Sequence, residues 1–370
     1  MKIGCPTEIK AQEFRVGVTP NAAMEAVAHG HDVMIQSGAG LGAGFTDEDY
    51  TAAGAQIVPD AREIYDSADM VVKVKEPQED ERKMLRDGQI LFAYLHLAPD
   101  PDQTHGLLES GCTAIAYETV TDGKGGLPLL APMSEVAGRL APQTGSWALQ
   151  KANGGSGVLL GGIPGVRPGN VVILGGGVVG AAAARVAVGM GANVTVLDRS
   201  VPRLSYLDDM FMGRLVTQFS DKGAIEALLP RADLVVGAVL LAGAATPKLV
   251  SRDQLSLLQP GSVLVDVAID QGGCFETSKA TTHQNPIYEV DGIVHYCVAN
   301  MPGAVARTST IGLGNATMPH MLAIADKGWK QACKDDPNLL NGVNVSGGKL
   351  TYAAVGEALN IESVKAESLL

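Results

Sequence analysis

Apolar runs recur along the first third of the chain, at 3–5, 33–35, 56–58, 70–74, 90–95 and 113–116. Between them lie stretches with helical character, at 22–29, 47–53, 79–85 and 102–109. Short continuous apolar runs suit strands buried on both faces. Their regular exchange with helices predicts a parallel sheet wound on both sides. Thr46, followed three residues later by Asp49, predicts a capping box at the start of 47–53, with Asp in place of the usual Glu.

The pattern changes after Tyr117. Asp122-Gly123-Lys124-Gly125-Gly126 predicts a flexible turn, and 132–150 predicts a long helix with Pro132 near its start. A glycine-rich passage over 154–169 leads into a second series, with strands at 171–174, 194–197, 215–218, 234–236, 263–267 and 293–297. A second long helix is predicted over 308–325 and a short one over 352–359. The two long helices are expected to bridge the domains. The tail from Val343 is too short to form a domain of its own, so it is expected to return to the first third. The expected organisation is α/β, with two doubly wound parallel-sheet domains. The second, 129–306, is inserted into a discontinuous first domain made of 1–128 and 307–370. A cleft between them is the expected meeting place of substrate and cofactor.

Val171-Val172-Ile173-Leu174 runs directly into Gly175-Gly176-Gly177-Val178-Val179-Gly180, which reads G-x-G-x-x-G. Helix formers follow, then Val194-Thr195-Val196-Leu197 ending on Asp198. This is the strand–turn–helix–strand–acid order of a dinucleotide-binding (Rossmann) unit. The first glycine permits the tight turn, the second lets the backbone approach a pyrophosphate, and the third lets helix and strand pack closely. The helix N-terminus offers N–H groups and a positive dipole end to phosphates. Chance matches are expected in a chain with 45 glycines, so the context carries the reading. Asp198 lies 18 residues beyond Gly180, close to the spacing of a carboxylate that binds ribose hydroxyls. It would repel the 2′-phosphate of NADP, so NAD is the expected cofactor. Arg199 beside it argues the other way, and Asp198 is read as dominant.

Composition narrows the classes. The 370 residues are 46% hydrophobic but only 4% aromatic, so Val, Ala, Leu and Ile must fill the cores. The net charge of −12 and the lack of a basic run make nucleic acid and anionic membranes poor partners. No apolar segment reaches membrane-spanning length, and the N-terminus has no signal-peptide profile. The five cysteines (Cys5, Cys112, Cys274, Cys297, Cys333) are scattered and include no C-x-x-C. Reduced thiols and a cytoplasmic setting are expected, with neither a disulfide framework nor a metal site suggested.

Several ionisable residues fall just beyond predicted strands, where open α/β sheets bind ligands. Lys75 precedes Glu76-Pro77, and His96 precedes Leu97-Ala98-Pro99. Lys73 has the same side-chain parity as Lys75, so the pattern does not separate the two lysines. Asp270 follows the strand at 263–267, where a carboxylate can handle protons or merely cap a turn before Gly272. Arg15, in the loop after the first strand, suits bidentate binding of a carboxylate.

At these residues the chain resembles the alanine dehydrogenase family. The matching segments are Pro6-Thr7-Glu8-Ile9-Lys10 through Arg15-Val16, Gly38-Ala39-Gly40 with Gly44-Phe45, and Val72-Lys73-Val74-Lys75-Glu76-Pro77. Tyr94-Leu95-His96-Leu97-Ala98, Pro132-Met133-Ser134-Glu135-Val136-Ala137-Gly138, 266–273 and Ala299-Asn300-Met301-Pro302-Gly303-Ala304 continue it in order. Thr7 departs from the family, which commonly has lysine there. The resemblance implies reversible oxidative deamination of L-alanine to pyruvate and ammonium with NAD, as in amino-acid catabolism. It implies that Arg15 and Lys75 hold the substrate carboxylate, that His96 is general acid and base, and that Asp270 assists proton transfer. It assigns cofactor contacts to Ser134, to Gly175, Gly177, Val178, Val179 and Gly180, and to Asp198, Arg203 and Ser220. Val239, Leu240, Val267, Ala268, Ile269, Asp270, Val298, Ala299, Asn300 and Met301 would line the nicotinamide side. It also implies a homohexamer. The competing readings are an NAD-binding component of a proton-translocating transhydrogenase, a related amino-acid or saccharopine-type dehydrogenase, and a non-catalytic NAD-binding regulator.

Overall fold

The computed structural model describes residues 1–239 and 246–370. The chain divides into two compact units, Met1–Met133 with Val305–Leu370, and Ser134–Ala304.

In the first unit, β1 (Lys2–Cys5), β2 (Asp32–Gln36), β3 (Gln56–Val58), β4 (Met70–Val72), β5 (Ile90–Ala93) and β6 (Thr113–Ala116) are parallel. Their order is β3-β2-β1-β4-β5-β6, so the winding reverses between β1 and β4. That switch point is where loops leaving neighbouring strands diverge and open a crevice. The strands are short because their apolar cores are short. The runs at 70–74 and 90–95 extend beyond the strands proper, and the pairing persists into them: Lys73 N–H donates to Phe92 O at 3.1 Å and Tyr94 N–H to Val74 O at 3.2 Å. The helix expected over 79–85 closes early, as Glu79–Arg82. The capping box forms, with Thr46 N–H on Asp49 Oδ2 at 2.8 Å and Asp49 N–H on Thr46 Oγ1 at 3.3 Å.

In the second unit, β7 (Asn170–Leu174), β8 (Asn193–Asp198), β9 (Val216–Phe219), β10 (Leu234–Gly237) and β11 (Val263–Asp266) are parallel. β12 (Ile287–Val290) is antiparallel to β13 (Ile293–Tyr296), which pairs in parallel with β11. The order β9-β8-β7-β10-β11-β13-β12 repeats the first winding, with the switch between β7 and β10. Side-chain alternation explains the continuous apolar runs. Val171 and Ile173 of β7 join one core with Val236, Val265 and Ala183, while Val172 and Leu174 join another with Val235, Leu264 and Phe275. Both sheet faces are buried, as parallel sheets require.

The long helices are Ala131–Ala148 and Ala306–Lys327. The second belongs to the first unit, where Thr310 Oγ1 accepts the N–H of Val16 at 3.2 Å. The tail adds β14 (Val343–Ser346), antiparallel to β6, and β15 (Lys349–Leu350) beyond it. Among the described residues no helix is long and apolar enough to cross a membrane. All five cysteines are buried and none forms a disulfide.

Candidate active site

Three segments leave the same edge of the first sheet, after β1, β4 and β5, flanking its switch point. They carry Arg15, Lys75 and His96. Arg15 is 2% exposed. Its guanidinium donates from Nε to Glu13 Oε1 at 2.6 Å and from Nη2 to Glu13 Oε2 at 2.5 Å, a two-point match of planar groups. Nη1 faces the Met133 sulfur at 3.1 Å. Burial opposes the Arg15 charge, but the hydrogen bonds and charge of Glu13 outweigh it and raise the guanidinium's pKa.

The structure separates the two lysines that share a parity. Lys73 is fully buried, its Nζ at 2.6 Å from Glu81 and 3.2 Å from Glu8. It is occupied inside the fold. Lys75, two residues on, is half-buried beyond the strand end. Its N–H donates to Glu8 Oε1 at 3.3 Å, and Val74 N–H to the same oxygen at 2.6 Å. His96 is exposed and has a left-handed backbone, φ 52°. Its N–H donates to Glu118 Oε1 at 2.6 Å. Tyr94 lies beside it, ring centroids 5.8 Å apart, and donates its hydroxyl to Leu129 O at 2.6 Å. Burial keeps the Tyr94 phenol protonated far above its usual range, although Arg15 pulls the other way. Tyr94 is therefore a hydrogen-bond donor here, not a base.

In the second unit a cavity of about 1060 Å³ opens at the ends of β7, β8 and β10, lined by Gly175, Gly177, Asp198, Ser220, Val239 and others. The three motif glycines differ in what requires them. Gly175 has φ +103°, and a Cβ there would sit 2.7 Å from Ala238 O across the switch point. A Cβ on Gly180 would meet Gly175 O at 1.8 Å. The fold itself demands these two. Gly177 has φ −64°, and a Cβ on it would touch no atom of the described residues within 4 Å. Nothing among the described residues needs a glycine there, and the bare backbone leaves room for a phosphate at the N-terminus of helix Val178–Gly189. The residues therefore fit a dinucleotide.

Asp198 is half-buried, with Gly176 N–H on Oδ2 at 2.7 Å and Ser200 N–H on Oδ1 at 2.8 Å. It shapes the glycine turn and borders the cavity. Arg203 turns back onto that turn, donating to Gly176 O at 2.5 Å and Gly177 O at 3.1 Å. Val178 is exposed and Val179 buried in the first helical turn, and Ser134 is half-buried in helix Ala131–Ala148. Val267, Ala268, Ile269 and Asp270 follow β11, with Asp270 exposed on the turn Ile269–Gln271. Val298 and Met301 are in the core, and Ala299 and Asn300 are half-buried. Leu240 lies outside the described residues.

Sequence reasoning missed Glu8, Glu13, Glu118 and Asp266. Asp266, at the end of β11, accepts the N–H groups of Ala268 at 3.1 Å and Cys274 at 2.7 Å, and the Ser278 hydroxyl. It ties the turn that presents Asp270. Burial raises its pKa against those hydrogen bonds. The strand-end rule that found His96 reaches Glu118 as well, two residues past β6.

Two doubly wound units, one with a glycine turn that fits a dinucleotide and the other carrying arginine, lysine and histidine beyond its strands, define a class of α/β dehydrogenase-like proteins. The family models described as "Alanine dehydrogenase/PNT, N-terminal domain" and "Alanine dehydrogenase/PNT, C-terminal domain" match residues 4–137 and 141–353. The chain belongs to the alanine dehydrogenase/PNT family. It is 60% identical to the alanine dehydrogenase of Halomonas elongata over 370 residues, covering all of both chains. It is 51% identical to that of Bacillus subtilis, covering all of this chain and 98% of the relative. A solved L-alanine dehydrogenase matches with a TM-score of 0.94 at 50% identity, covering 97% of this chain and 99% of that one. A transhydrogenase from Sinorhizobium meliloti shares the fold, with a TM-score of 0.81 at 22% identity over 96% of this chain and all of that one.

Proposed function

We propose that the protein is an NAD-dependent L-alanine dehydrogenase: L-alanine, NAD and water give pyruvate, ammonium, NADH and a proton, reversibly. The observation that carries this reading is that the segments after β1, β4 and β5, which leave one edge of the first sheet, carry Arg15, Lys75 and His96, in a chain 60% identical to an alanine dehydrogenase over its full length. The discontinuous first unit would hold the substrate and the second the cofactor. Bound NAD supplies the acceptor for the hydride leaving Cα.

The remaining work falls to side chains. Lys75 and Arg15 bind the substrate carboxylate. Arg15 is fixed by Glu13, so its charge is oriented in advance. His96 takes a proton as the amine becomes an imine and releases it to solvent, then takes a proton from the water that adds and returns it to the nitrogen as ammonia leaves. Imidazole suits both steps because its ordinary pKa is nearest neutrality. Asp270 holds the water or ammonia and is the second proton handler. Asp198 favours NAD over NADP by meeting the adenosine ribose.

The test is NADH absorbance after mixing the purified protein with NAD and L-alanine at alkaline pH, with NADP, D-alanine, glycine and L-lysine as controls. Formation of NADH confined to NAD and L-alanine supports the reading. NADH binding without turnover overturns it in favour of a transhydrogenase-like or regulatory role, and turnover of L-lysine in favour of a saccharopine-type enzyme.

A further inference from the structure

Two of the three strand-end segments in the first unit are held by the same device. Beyond β4, Glu8 Oε1 accepts the N–H groups of Val74 and Lys75, at 2.6 and 3.3 Å. Beyond β5, Glu118 accepts the N–H of Leu95, at 3.1 and 3.2 Å to its two oxygens, and that of His96 at 2.6 Å. Two successive N–H groups converging on one anion form a nest. In both nests the second N–H belongs to the residue whose side chain is read as chemical. The carboxylates come from unrelated segments, the loop after β1 and the turn Tyr117–Thr119 after β6.

The His96 nest has a second property. His96 has φ 52°, a conformation that non-glycine residues seldom hold without surroundings that enforce it. The flanking carbonyls are held too: Gln103 Nε2 donates to Leu95 O at 2.6 Å and Thr104 Oγ1 to Leu97 O at 3.0 Å. Among these contacts only those to the N–H groups involve a charged group, and that group is Glu118.

We propose that Glu118 is a positioning residue for His96. It accepts the two N–H groups at the overhang, fixes the left-handed turn, and so sets where the imidazole stands when it moves a proton. Glu118 acts through the His96 backbone and not on the substrate. The inference rests on the dehydrogenase reading above, in which His96 is the acid and base. A neutral amide at 118 can keep one oxygen on both N–H groups, but it loses the charge and sets an NH₂ group where Oε2 meets the Leu95 N–H at 3.2 Å, so the nest loosens without loss of volume.

A double-mutant cycle on the full chain tests it, with reductive amination of pyruvate followed for wild type, Glu118→Gln, His96→Ala and the double variant. Glu118→Gln is expected to lower kcat about 10–100-fold, the scale of an ångström misplacement. KM for pyruvate should move less than about threefold, since carboxylate binding lies elsewhere. Tm and NADH affinity should hold. In the His96→Ala background the same change is expected to have no further effect on kcat, because its only route is gone. Glu118→Asp, which keeps an anion, should recover part of the rate, and it carries the same cycle if Glu118→Gln loses Tm. Equal losses in both backgrounds, or an unaltered kcat in Glu118→Gln, overturn the proposal alone. Full activity in His96→Ala overturns the reading of His96 and the proposal with it.

Discussion

Replacing Lys73 with methionine tests how the first unit is held together beneath its strand ends. The side chain keeps its length and loses its charge. Its Nζ is 2.6 Å from Glu81 and 3.2 Å from Glu8, with all three side chains essentially buried. At an effective dielectric of about 20, these attractions amount to about 6 and about 5 kcal/mol. Taking three charges out of water offsets most of that, so the intact triad contributes little net stability. Removing one member is different, because two carboxylates are left facing each other without a cation. Glu8 can escape by binding a proton, at about 1.4 kcal/mol per pH unit above its ordinary value. Glu8 starts from an ordinary 4.5, which burial already raises against the pull of Lys73. The expected loss at pH 7 is therefore about 3–5 kcal/mol, the range for breaking a buried pair.

The sign of the pH dependence follows. A carboxyl whose folded pKa is raised contributes stability at low pH that is lost as pH rises through the folded value. Without Lys73 the Glu8 carboxyl rises further, so the deficit should shrink by up to about 3 kcal/mol between pH 7 and pH 5. For a unit of about 200 residues the pH 7 loss corresponds to a drop in Tm of about 10 °C or more. Calorimetric scans of wild type and Lys73→Met at pH 5, 6 and 7 measure it, with Lys75→Met as control. Lys75 is half-buried, and its replacement should change stability by less than about 1 kcal/mol while removing turnover. A Lys73→Met deficit below about 1 kcal/mol at pH 7, or one equal at pH 5 and pH 7, refutes the reasoning.

Three further outcomes are expected. His96→Ala should lower kcat by about 10²–10⁴-fold with NADH binding intact, as steady-state kinetics and fluorescence titration would show; near-normal turnover removes His96 from the chemistry. Gly177→Ala should leave Tm unchanged but weaken NADH at least about tenfold by crowding the phosphate approach, whereas Gly180→Ala should lower Tm because its Cβ would overlap Gly175 O at 1.8 Å; comparable Tm losses in both would show that Gly177 serves the fold instead. Asp198→Ala should raise KM for NAD and narrow the gap to NADP, read from kcat/KM with each cofactor, and an unchanged ratio would exclude Asp198 as the discriminating carboxylate.

Period and length made the fold legible. Strands buried on both faces leave continuous apolar runs, so β1 to β8, β10, β11 and β13 stood out, and the run at 215–218 found β9 one residue early. β12 and β14 did not, because they are edge-side strands with polar residues: Ile287-Tyr288-Glu289-Val290 is half-exposed, and Val343-Asn344-Val345-Ser346 uses Asn344 to donate to Thr119 Oγ1 at 2.8 Å. Strand ends were misjudged where an apolar or paired segment ran past the regular ladder, as at Val74 and Leu95. Those overhangs are the segments that carry Lys75 and His96.

The same reasoning explains which site residues were visible. Arg15, Lys75, His96 and Asp270 follow strands in sequence, and a rule about strand ends reaches them one at a time. Their supports are not local. Glu8 meets Lys75 across 67 residues and Glu118 meets His96 across 22, pairings that exist only once β1 lies beside β4 and β6 beside β5. The split between Lys73 and Lys75 arises in the same way. Lys73 is buried against a pair of carboxylates brought in by other segments, while Lys75, past the strand end, is half-buried. A strand pattern can locate the edge at which a ligand is met. Which cations are drawn into the fold is decided by long-range pairing of charges, so the chemistry of this edge becomes readable only after the sheet order β3-β2-β1-β4-β5-β6 is known.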